Sequence, residues 1–360
     1  MRYAIRAGSA LVMGFAALTT FWAADAGAQS YPNPYRAVYG WETMPEGREL
    51  GVISGIYVDP DGEHLWMLDR CGANNCAGSP LDPVLKFDLD GNLVHSFGAG
   101  LFGWPHGFFV DHEGNVWVTD GAPHGEARGE DGFALGLGHQ IYKFSPEGEV
   151  LMTLGEAGVH GHGPNHFNGP SHAAVAPNGD IWVTDGHRGG NNRLVRFAPD
   201  GTFLMQIGGD HDSVSAERGV FNDPHHIAFD SEGRIFVSDR GNNRIQIFDP
   251  EGEFLGVWTH FGRPSAIFID DEDTIYVVDG TSSISGGYSG TSIGFDRGIR
   301  IGDARTGWIR EFIPEVELVI EEGRAPRGVA MEFLGVDPEG NIYAGEVESQ
   351  RPVKWIRVRP

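Results

Sequence analysis

The sequence predicts an all-β fold, a six-bladed β-propeller with four antiparallel strands in each blade, and three observations predict it. First, residues 104–120 and 221–239 share one pattern: Pro-His, an apolar stretch, Asp-x-x-Gly or its equivalent, and a second apolar stretch that ends on Asp. Second, the apolar residues alternate with period two and a glycine-containing turn joins them, which is typical of strand hairpins. Third, the unit recurs six times, and such repetition is typical of propeller blades.

The six copies align on the hairpin turn. The first three span about 51–97, 101–154 and 167–207, the fourth contains Pro224-His225, the fifth spans 262–312, and the sixth carries the turn 337–340 and the terminal strand 353–357. Gly-rich insertions interrupt the second and fifth copies, at 121–138 and 281–294. The sixth copy is one strand short at the C-terminus. We expect the segment from Tyr35 to Trp41 to supply that strand, because an open ring would leave an unpaired sheet edge.

Composition and charge limit the functions to consider. The chain has 360 residues, of which 40% are hydrophobic, with 54 glycines and 21 prolines. That length suffices for one large all-β domain with an ample core, and the glycine and proline content fits many turns. The formal net charge of −24 argues against a nucleic-acid partner, because the phosphate backbone would be repelled.

The N-terminus has the pattern of an exported protein. Arg2 and Arg6 precede a largely apolar run over 7–24, and Ala26-Gly27-Ala28 supplies small residues for cleavage. We predict a secretory signal peptide over 1–28 and a single propeller domain over 29–360. No later apolar run is long enough to span a bilayer. We therefore expect a secreted or periplasmic protein without membrane attachment after cleavage, with an uncleaved signal anchor as the alternative.

The chain has two cysteines, Cys71 and Cys76, which lie five residues apart. In an oxidising compartment they are expected to form a local disulfide that stiffens their loop. A two-cysteine metal site is the alternative, but it would need further ligands.

One position in each repeat has a special pattern. It lies at the start of the innermost strand, five residues before the turn, and is occupied in order by Ser54, His106, Ser171, His225, Ser265 and Glu332. Innermost strands line the central channel of a propeller, so these side chains are expected to point toward one axis. Alternate blades then supply two imidazoles and a carboxylate, with small serines between them.

Two imidazoles and a carboxylate form a competent metal site. Zinc favours such nitrogen and oxygen ligands, and iron or manganese would accept the same set. We predict that His106, His225 and Glu332 are metal ligands. The alternative is that the two histidines are polar channel residues solvated by water and that Glu332 is there by coincidence.

Several motifs suggest a family. The segment 243–248, Asn-Arg-Ile-Gln-Ile-Phe, resembles the NHL repeat, and the mature chain resembles the peptidyl-α-hydroxyglycine α-amidating lyases. The motifs that carry the resemblance are those at 104–107, 138–144, 165–167, 223–225 and 239–246. The resemblance covers all six repeats and implies an NHL-type propeller.

The family holds a zinc ion with three channel histidines. His106 and His225 match two of them, and Glu332 occupies the third position. An aspartate that joins a structural calcium in the family falls on Phe333, so the resemblance does not carry that calcium over.

The resemblance also implies catalytic residues. Arg70 and Arg240 resemble the active-site arginines of the family, and its catalytic tyrosine falls on His187. We predict that His187 is the base, because imidazole titrates near neutral pH. Arg70 or Arg240 would hold a substrate carboxylate bidentately.

The implied reaction is carbon–nitrogen lysis of an α-hydroxylated amide, which yields an amide and glyoxylate or a related aldehyde. A zinc ion would bind the hydroxyl and stabilise the developing alkoxide. The substrate would be a peptide or a small molecule, and a separate hydroxylating monooxygenase would supply it. Two other classes stay open: a non-catalytic propeller that binds a ligand or protein through its insertions, and a calcium-dependent lactonase, whose Asn and Asp ligands the aligned positions do not provide.

Overall fold

The computed structural model of the protein describes residues 31–121, 136–187, 189–209, 215–282, 292, 294–315, 331–347 and 349–358. The predicted signal peptide and most of both predicted insertions lie outside the described residues. No helix within these described segments has the length and apolar character needed to cross a membrane.

Short strands make up nearly all the regular structure of the described residues. In chain order they are β1 (Tyr35–Tyr39), β2 (Ile53–Val58), β3 (His64–Asp69), β4 (Val84–Asp88), β5 (Leu93–Phe97), β6 (Pro105–Val110), β7 (Val116–Asp120), β8 (Gln140–Phe144), β9 (Val150–Leu154), β10 (Pro170–Val175), β11 (Ile181–Asp185), β12 (Arg193–Phe197), β13 (Phe203–Gly208), β14 (Pro224–Phe229), β15 (Ile235–Asp239), β16 (Arg244–Phe248), β17 (Phe254–Trp258), β18 (Ala266–Ile269), β19 (Thr274–Asp279), β20 (Gly298–Asp303), β21 (Ile309–Pro314), β22 (Met331–Val336), β23 (Ile342–Glu346) and β24 (Arg351–Arg357). Among the described residues, a short 3-10 helix covers Arg240–Asn242.

These strands form six antiparallel sheets of four strands each, which confirms the predicted six-bladed propeller. Blades 1 to 5 are the consecutive groups β2 to β5, β6 to β9, β10 to β13, β14 to β17 and β18 to β21. Blade 6 has the order β1-β24-β23-β22. The predicted closing strand is therefore confirmed, with Tyr35 opposite Arg357 and Tyr39 opposite Val353.

The hydrophobic core lies between the blades rather than in one central mass. Six clusters of buried side chains each join one blade to the next. One of them packs Tyr343 of blade 6 against Leu65 and Met67 of blade 1, so core packing closes the ring as well as β1 does. The innermost strands β2, β6, β10, β14, β18 and β22 contact one another in a ring around the axis.

In blades 1 to 5 an aspartate ends the second strand and accepts hydrogen bonds from the loop that enters the innermost strand. Asp120 accepts hydrogen bonds from the backbone N–H groups of Gly103 and Trp104, at 2.8 and 2.6 Å. Asp239 likewise accepts from Asn222 at 2.8 Å. A buried carboxylate with such donors holds the loop firmly. These loops place the first residues of the innermost strands, where the candidate site lies.

Candidate metal centre

The predicted channel residues lie at irregularities of the innermost strands. In β6 the pairing register shifts between Pro105 and Phe108, and in β14 it shifts between Pro224 and His226. A similar shift occurs in β22, between Met331 and Leu334. A β-bulge leaves a residue unpaired and re-aims its side chain. The bulges therefore free His106, His225 and Glu332 from the ladder at the point where each blade reaches the axis.

The two channel histidines are fully buried and anchored in the same way. The Nδ1–H of His106 donates to the backbone oxygen of Ser171 at 2.8 Å, and that of His225 donates to the oxygen of Ser265 at 2.7 Å. Because a carbonyl only accepts, both rings carry their proton on Nδ1. The Nε2 atoms of both are buried and have no hydrogen-bond partner among the described residues. A buried acceptor without a hydrogen bond costs free energy in a protein interior. The two Nε2 atoms therefore indicate that this site binds a ligand.

His187 completes a group of three. It lies just after β11, and its ring centroid is 4.4 Å from that of His106 and 5.0 Å from that of His225. One ring nitrogen from each of the three histidines lies within 4.8 Å of the other two. All three side chains are buried. The structure thus adds His187, which we predicted as a base, to the set of residues that can hold a metal.

Asp223 fixes the orientation of His187. Its Oδ1 lies 3.0 Å from Nδ1 of His187, and its Oδ2 lies 2.9 Å from Nε of Arg240 and 2.8 Å from Nη2. Nη2 of Arg240 also lies 3.1 Å from the same Nδ1. Because an ionised carboxylate only accepts, we place the proton of His187 on Nδ1, directed at Asp223, which leaves Nε2 for a ligand. Sequence reasoning missed this role, although Asp223 directly precedes the Pro-His motif in the chain.

Glu332 and Arg70 also lie beside His106. Oε2 of Glu332 lies 3.7 Å from Nε2 of His106 and 3.4 Å from Nη2 of Arg70. The remaining donors of Arg70 reach the backbone oxygen of Pro105 at 2.9 Å and Oδ1 of Asn74 at 3.0 Å.

The loop that carries Arg70 is held in two further ways. The guanidinium of Arg70 lies over the ring of Trp104, 4.2 Å from its centroid. The predicted disulfide between Cys71 and Cys76 is present in the same loop. Trp104 also stacks on His187 with an interplanar angle of 5°, so this tryptophan links the arginine to the histidine group.

The sequence and its relatives agree with this architecture. The NHL repeat model matches residues 167–197 and 221–248. The chain is 32% identical over 247 residues to human NHL repeat-containing protein 3, covering 66% of this chain and 64% of that protein. It is 30% identical over 217 residues to a probable peptidyl-alpha-hydroxyglycine alpha-amidating lyase of Caenorhabditis elegans, covering 56% of each.

The chain is an NHL-repeat propeller that resembles the peptidyl-α-hydroxyglycine α-amidating lyases. It is also 33% identical over 328 residues to peptidyl-glycine alpha-amidating monooxygenase A of Xenopus laevis, covering 85% of this chain and 32% of that protein. It spans less than two thirds of the length of each of these three relatives.

Solved structures support the fold of this NHL-repeat propeller. A gluconolactonase from Xanthomonas campestris is similar with a TM-score of 0.57 at 16% identity, over 89% of both chains. Virginiamycin B lyase from Staphylococcus aureus is similar with a TM-score of 0.54 at 17% identity, over 89% of this chain and 99% of that one. At such identities the likeness concerns the fold alone.

Burial keeps the three imidazoles of this NHL-repeat propeller neutral. It lowers the pKa of His106 well below 6.5, and the neighbouring His187 and His225 lower it further. Burial and the charge of Arg240 lower the pKa of His225 in the same direction. For His187, burial lowers the pKa to about 4 although Asp223 opposes the shift. Neutral imidazoles bind a metal without first losing a proton.

A second aromatic layer lies one residue further along the innermost strands. Phe333 is buried and stacks on His225 with an interplanar angle of 8° and centroids 5.6 Å apart. Its ring also contacts His172 and His226, which stack on each other at 3.7 Å. This layer is the floor of the site. Phe333 stands where the family resemblance would require an aspartate for calcium, and a phenyl ring provides no ligand for that ion.

We predict that the metal-free protein loses stability as the pH falls from about 6.5 toward 4. Burial lowers the pKa of His172 to about 3 and that of His187 to about 4. Between those values and 6.5 the unfolded chain binds protons that the folded chain does not, so the free energy of unfolding decreases with falling pH. Each such histidine contributes up to about 1.4 kcal/mol per pH unit.

Urea unfolding of chelator-treated protein at pH 7 and pH 5 measures this effect. His172→Gln serves as the matched variant, because it removes one of the depressed imidazoles from the floor. The decrease should be smaller in His172→Gln than in the wild type. Equal decreases in both proteins would contradict the assignment.

Proposed function

We propose that this protein is a zinc-dependent carbon–nitrogen lyase that cleaves an α-hydroxylated amide into an amide and glyoxylate or a related aldehyde. The observation that carries the proposal is the set of three buried imidazoles with anchored Nδ1 atoms, two of which have a buried Nε2 without a hydrogen-bond partner among the described residues. Relatives whose names include peptidyl-alpha-hydroxyglycine alpha-amidating lyase support the reaction class.

The donor set fits zinc. His106, His187 and His225 would hold the ion through three neutral nitrogens, which is a ligand set typical of catalytic zinc sites with one open position. Iron or manganese would accept the same ligands. When bound, the metal would supply Lewis-acid stabilisation of negative charge on the substrate hydroxyl oxygen.

The geometry favours His187 as a metal ligand and Glu332 as the base, which is the reverse of the roles that we predicted from the sequence. Asp223 holds Nδ1 of His187, as the carbonyls hold Nδ1 of the other two histidines, and this arrangement is typical of metal ligands. Glu332 has 15% of its side chain exposed and a carboxylate 3.7 Å from Nε2 of His106. We therefore assign His187 as the third ligand and Glu332 as the proton acceptor, positioned by Arg70.

One acid–base group suffices for the reaction. The hydroxyl loses a proton as its carbon becomes an aldehyde, and the amide nitrogen gains a proton as the C–N bond breaks. The carboxylate of Glu332 can accept the first proton and return it to the nitrogen. A change of Glu332 to Gln should then reduce turnover and retain the metal, whereas a change of His187 to Gln should remove the metal. The opposite pattern would restore the roles predicted from the sequence.

The proposed substrate is an α-hydroxylated peptide or a small hydroxylated amide. Its hydroxyl must come from a hydroxylation reaction, so a separate monooxygenase is the proposed source. We also propose export to the periplasm or the exterior, on the basis of the N-terminal pattern at 1–28.

The decisive assay uses α-hydroxyhippurate as substrate. The proposal requires equimolar benzamide and glyoxylate, formed faster than in a protein-free control. If neither product forms in zinc-supplemented protein, the lyase proposal fails. A ligand- or protein-binding propeller would then be the better account, since NHL repeat-containing protein 3 is also a relative.

A further inference from the structure

Two arginines and one carboxylate lie beside the three histidines. Oδ2 of Asp223 contacts Arg240 at 2.8 Å and Nη2 of Arg263 at 3.6 Å. Arg263 lies two residues before Ser265, whose carbonyl anchors His225. We propose that Arg263 binds the carboxylate of the substrate, an inference that rests on the proposed lyase function and names a specificity-determining residue for it.

Two nitrogens of the Arg263 guanidinium make no hydrogen bond to the described residues. Nη1 donates to Oγ1 of Thr281 at 2.8 Å, whereas Nε is buried and has no hydrogen-bond partner in the part of the chain that the structure describes. Nη2, at 3.6 Å from Asp223, is beyond hydrogen-bond distance. Nε and Nη2 form one edge of the guanidinium, and such an edge binds a carboxylate with two parallel hydrogen bonds.

The charges around Arg263 favour an anion. Arg240 and Arg263 both contact Asp223, so two cations share that carboxylate. Asp279 accepts the backbone N–H of Arg263 at 3.1 Å, but its side chain lies 3.5 Å from the guanidinium of Arg300. Burial and the charge of Arg240 lower the pKa of Arg263 to about 10, against the effects of Asp223 and Asp279. A bound carboxylate would relieve the repulsion between the two arginines.

The two arginines that match the family motifs are less suited to this task. Arg70 is 1% exposed and its three nitrogens face Pro105, Asn74 and Glu332. Arg240 directs both Nε and Nη2 to Asp223, and its Nη2 also lies 3.1 Å from Nδ1 of His187. A substrate carboxylate at these nitrogens would compete with their present partners, whereas at Arg263 it would meet Nε, which has no hydrogen-bond partner among the described residues. The subsite would select substrates with a free carboxylate next to the hydroxylated carbon.

The test compares Arg263→Gln and Arg263→Lys with the wild type on two substrates. For α-hydroxyhippurate, KM should rise about 10- to 100-fold in Arg263→Gln and less in Arg263→Lys, which keeps the charge but not the fork. For the methyl ester, which lacks the charge, Arg263→Gln and wild type should have the same kcat/KM. Arg305→Gln, an exposed arginine with 57% of its side chain accessible, is the control. An equal loss on both substrates would overturn the proposal.

A binding measurement separates this subsite from the lyase reaction itself. Calorimetric titration with glyoxylate should show binding to the wild type and to Arg305→Gln, and about 10- to 100-fold weaker binding to Arg263→Gln at equal zinc content. If the wild type binds glyoxylate in this way but turns over no substrate, the subsite stands and the lyase proposal fails. If lyase activity is present and Arg263→Gln binds glyoxylate as the wild type does, the subsite is refuted and the lyase proposal stands.

Discussion

His106→Ala is expected to lose the bound metal and at least about a thousand-fold of the lyase activity. His106 contacts all the other proposed site residues that bind the metal or accept the proton. Its ring lies against those of His187 and His225, and its Nε2 lies 3.7 Å from Oε2 of Glu332. Removal of one of three ligands leaves too few for a tight site, and Lewis-acid stabilisation of a developing charge contributes several kcal/mol to catalysis. Elemental analysis and glyoxylate release measure the two losses.

The control for this variant is His112→Ala in the same blade. His112 is exposed in the turn between β6 and β7, so its removal tests for general effects of losing a histidine. It should retain wild-type metal and activity, and circular dichroism should show both variants folded. Full metal content in folded His106→Ala would contradict the assignment of this histidine as a ligand.

Asp223→Asn has the second largest expected effect, a decrease of about 10- to 100-fold in metal affinity and in kcat. Asp223 accepts from Nδ1 of His187 and from two nitrogens of Arg240. Residues that orient a metal-bound histidine typically have effects of this size. Asp223 has φ +55°, and Asn tolerates this left-handed backbone about as well as Asp does, so the substitution changes the charge and spares the main chain.

The control for Asp223→Asn is a second Asp-to-Asn change, at a carboxylate outside the site that also pairs with an arginine. Asp180→Asn removes the negative charge that pairs with Arg196 and should leave zinc affinity unchanged. Zinc affinity, measured by competition with a chelator, distinguishes an orienting role for Asp223 from a purely structural one. A folded Asp223→Asn with wild-type zinc affinity would show that the carboxylate does not orient His187.

The architecture could be predicted because it repeats. The alignment on turn glycines places His106, His225 and Glu332 at one position per blade, and each of these residues lies in a register shift of its innermost strand. Hydrogen bonds within each blade hold the entrance to that strand, as when Asp120 accepts from Gly103 and Trp104. The closing strand β1 was predictable for the same reason, since one blade lacked a strand.

The rest of the site depends on contacts that do not repeat. His187 lies in a loop after β11, and its place depends on Asp223, which is 36 residues away in the chain. The pair of Arg70 and Glu332 is separated by 262 residues. Arg263 lies before an innermost strand in a blade whose channel residue is a serine, so the repeat alignment gave it no special weight. Such pairings need the folded ring, because no local pattern relates the partners.

The sequence showed that Phe333 departs from the family pattern, but it did not show what the phenyl ring contacts. Phe333 was recognised as a departure from the calcium ligand of the resembling family. Only the folded structure places its ring against His225, His172 and His226. A buried aromatic side chain packs there against three imidazole rings, which a sequence pattern alone does not indicate.

Zinc titration of chelator-treated wild-type protein, with glyoxylate release from α-hydroxyhippurate followed at each addition, tests the proposed lyase most directly. We expect no activity in the metal-free protein, a linear rise with added zinc, and a plateau at about one ion per chain, as for a single catalytic site. Full activity in folded, metal-free protein would contradict the proposed zinc-dependent lyase, and so would tight zinc binding at that stoichiometry without any release of glyoxylate.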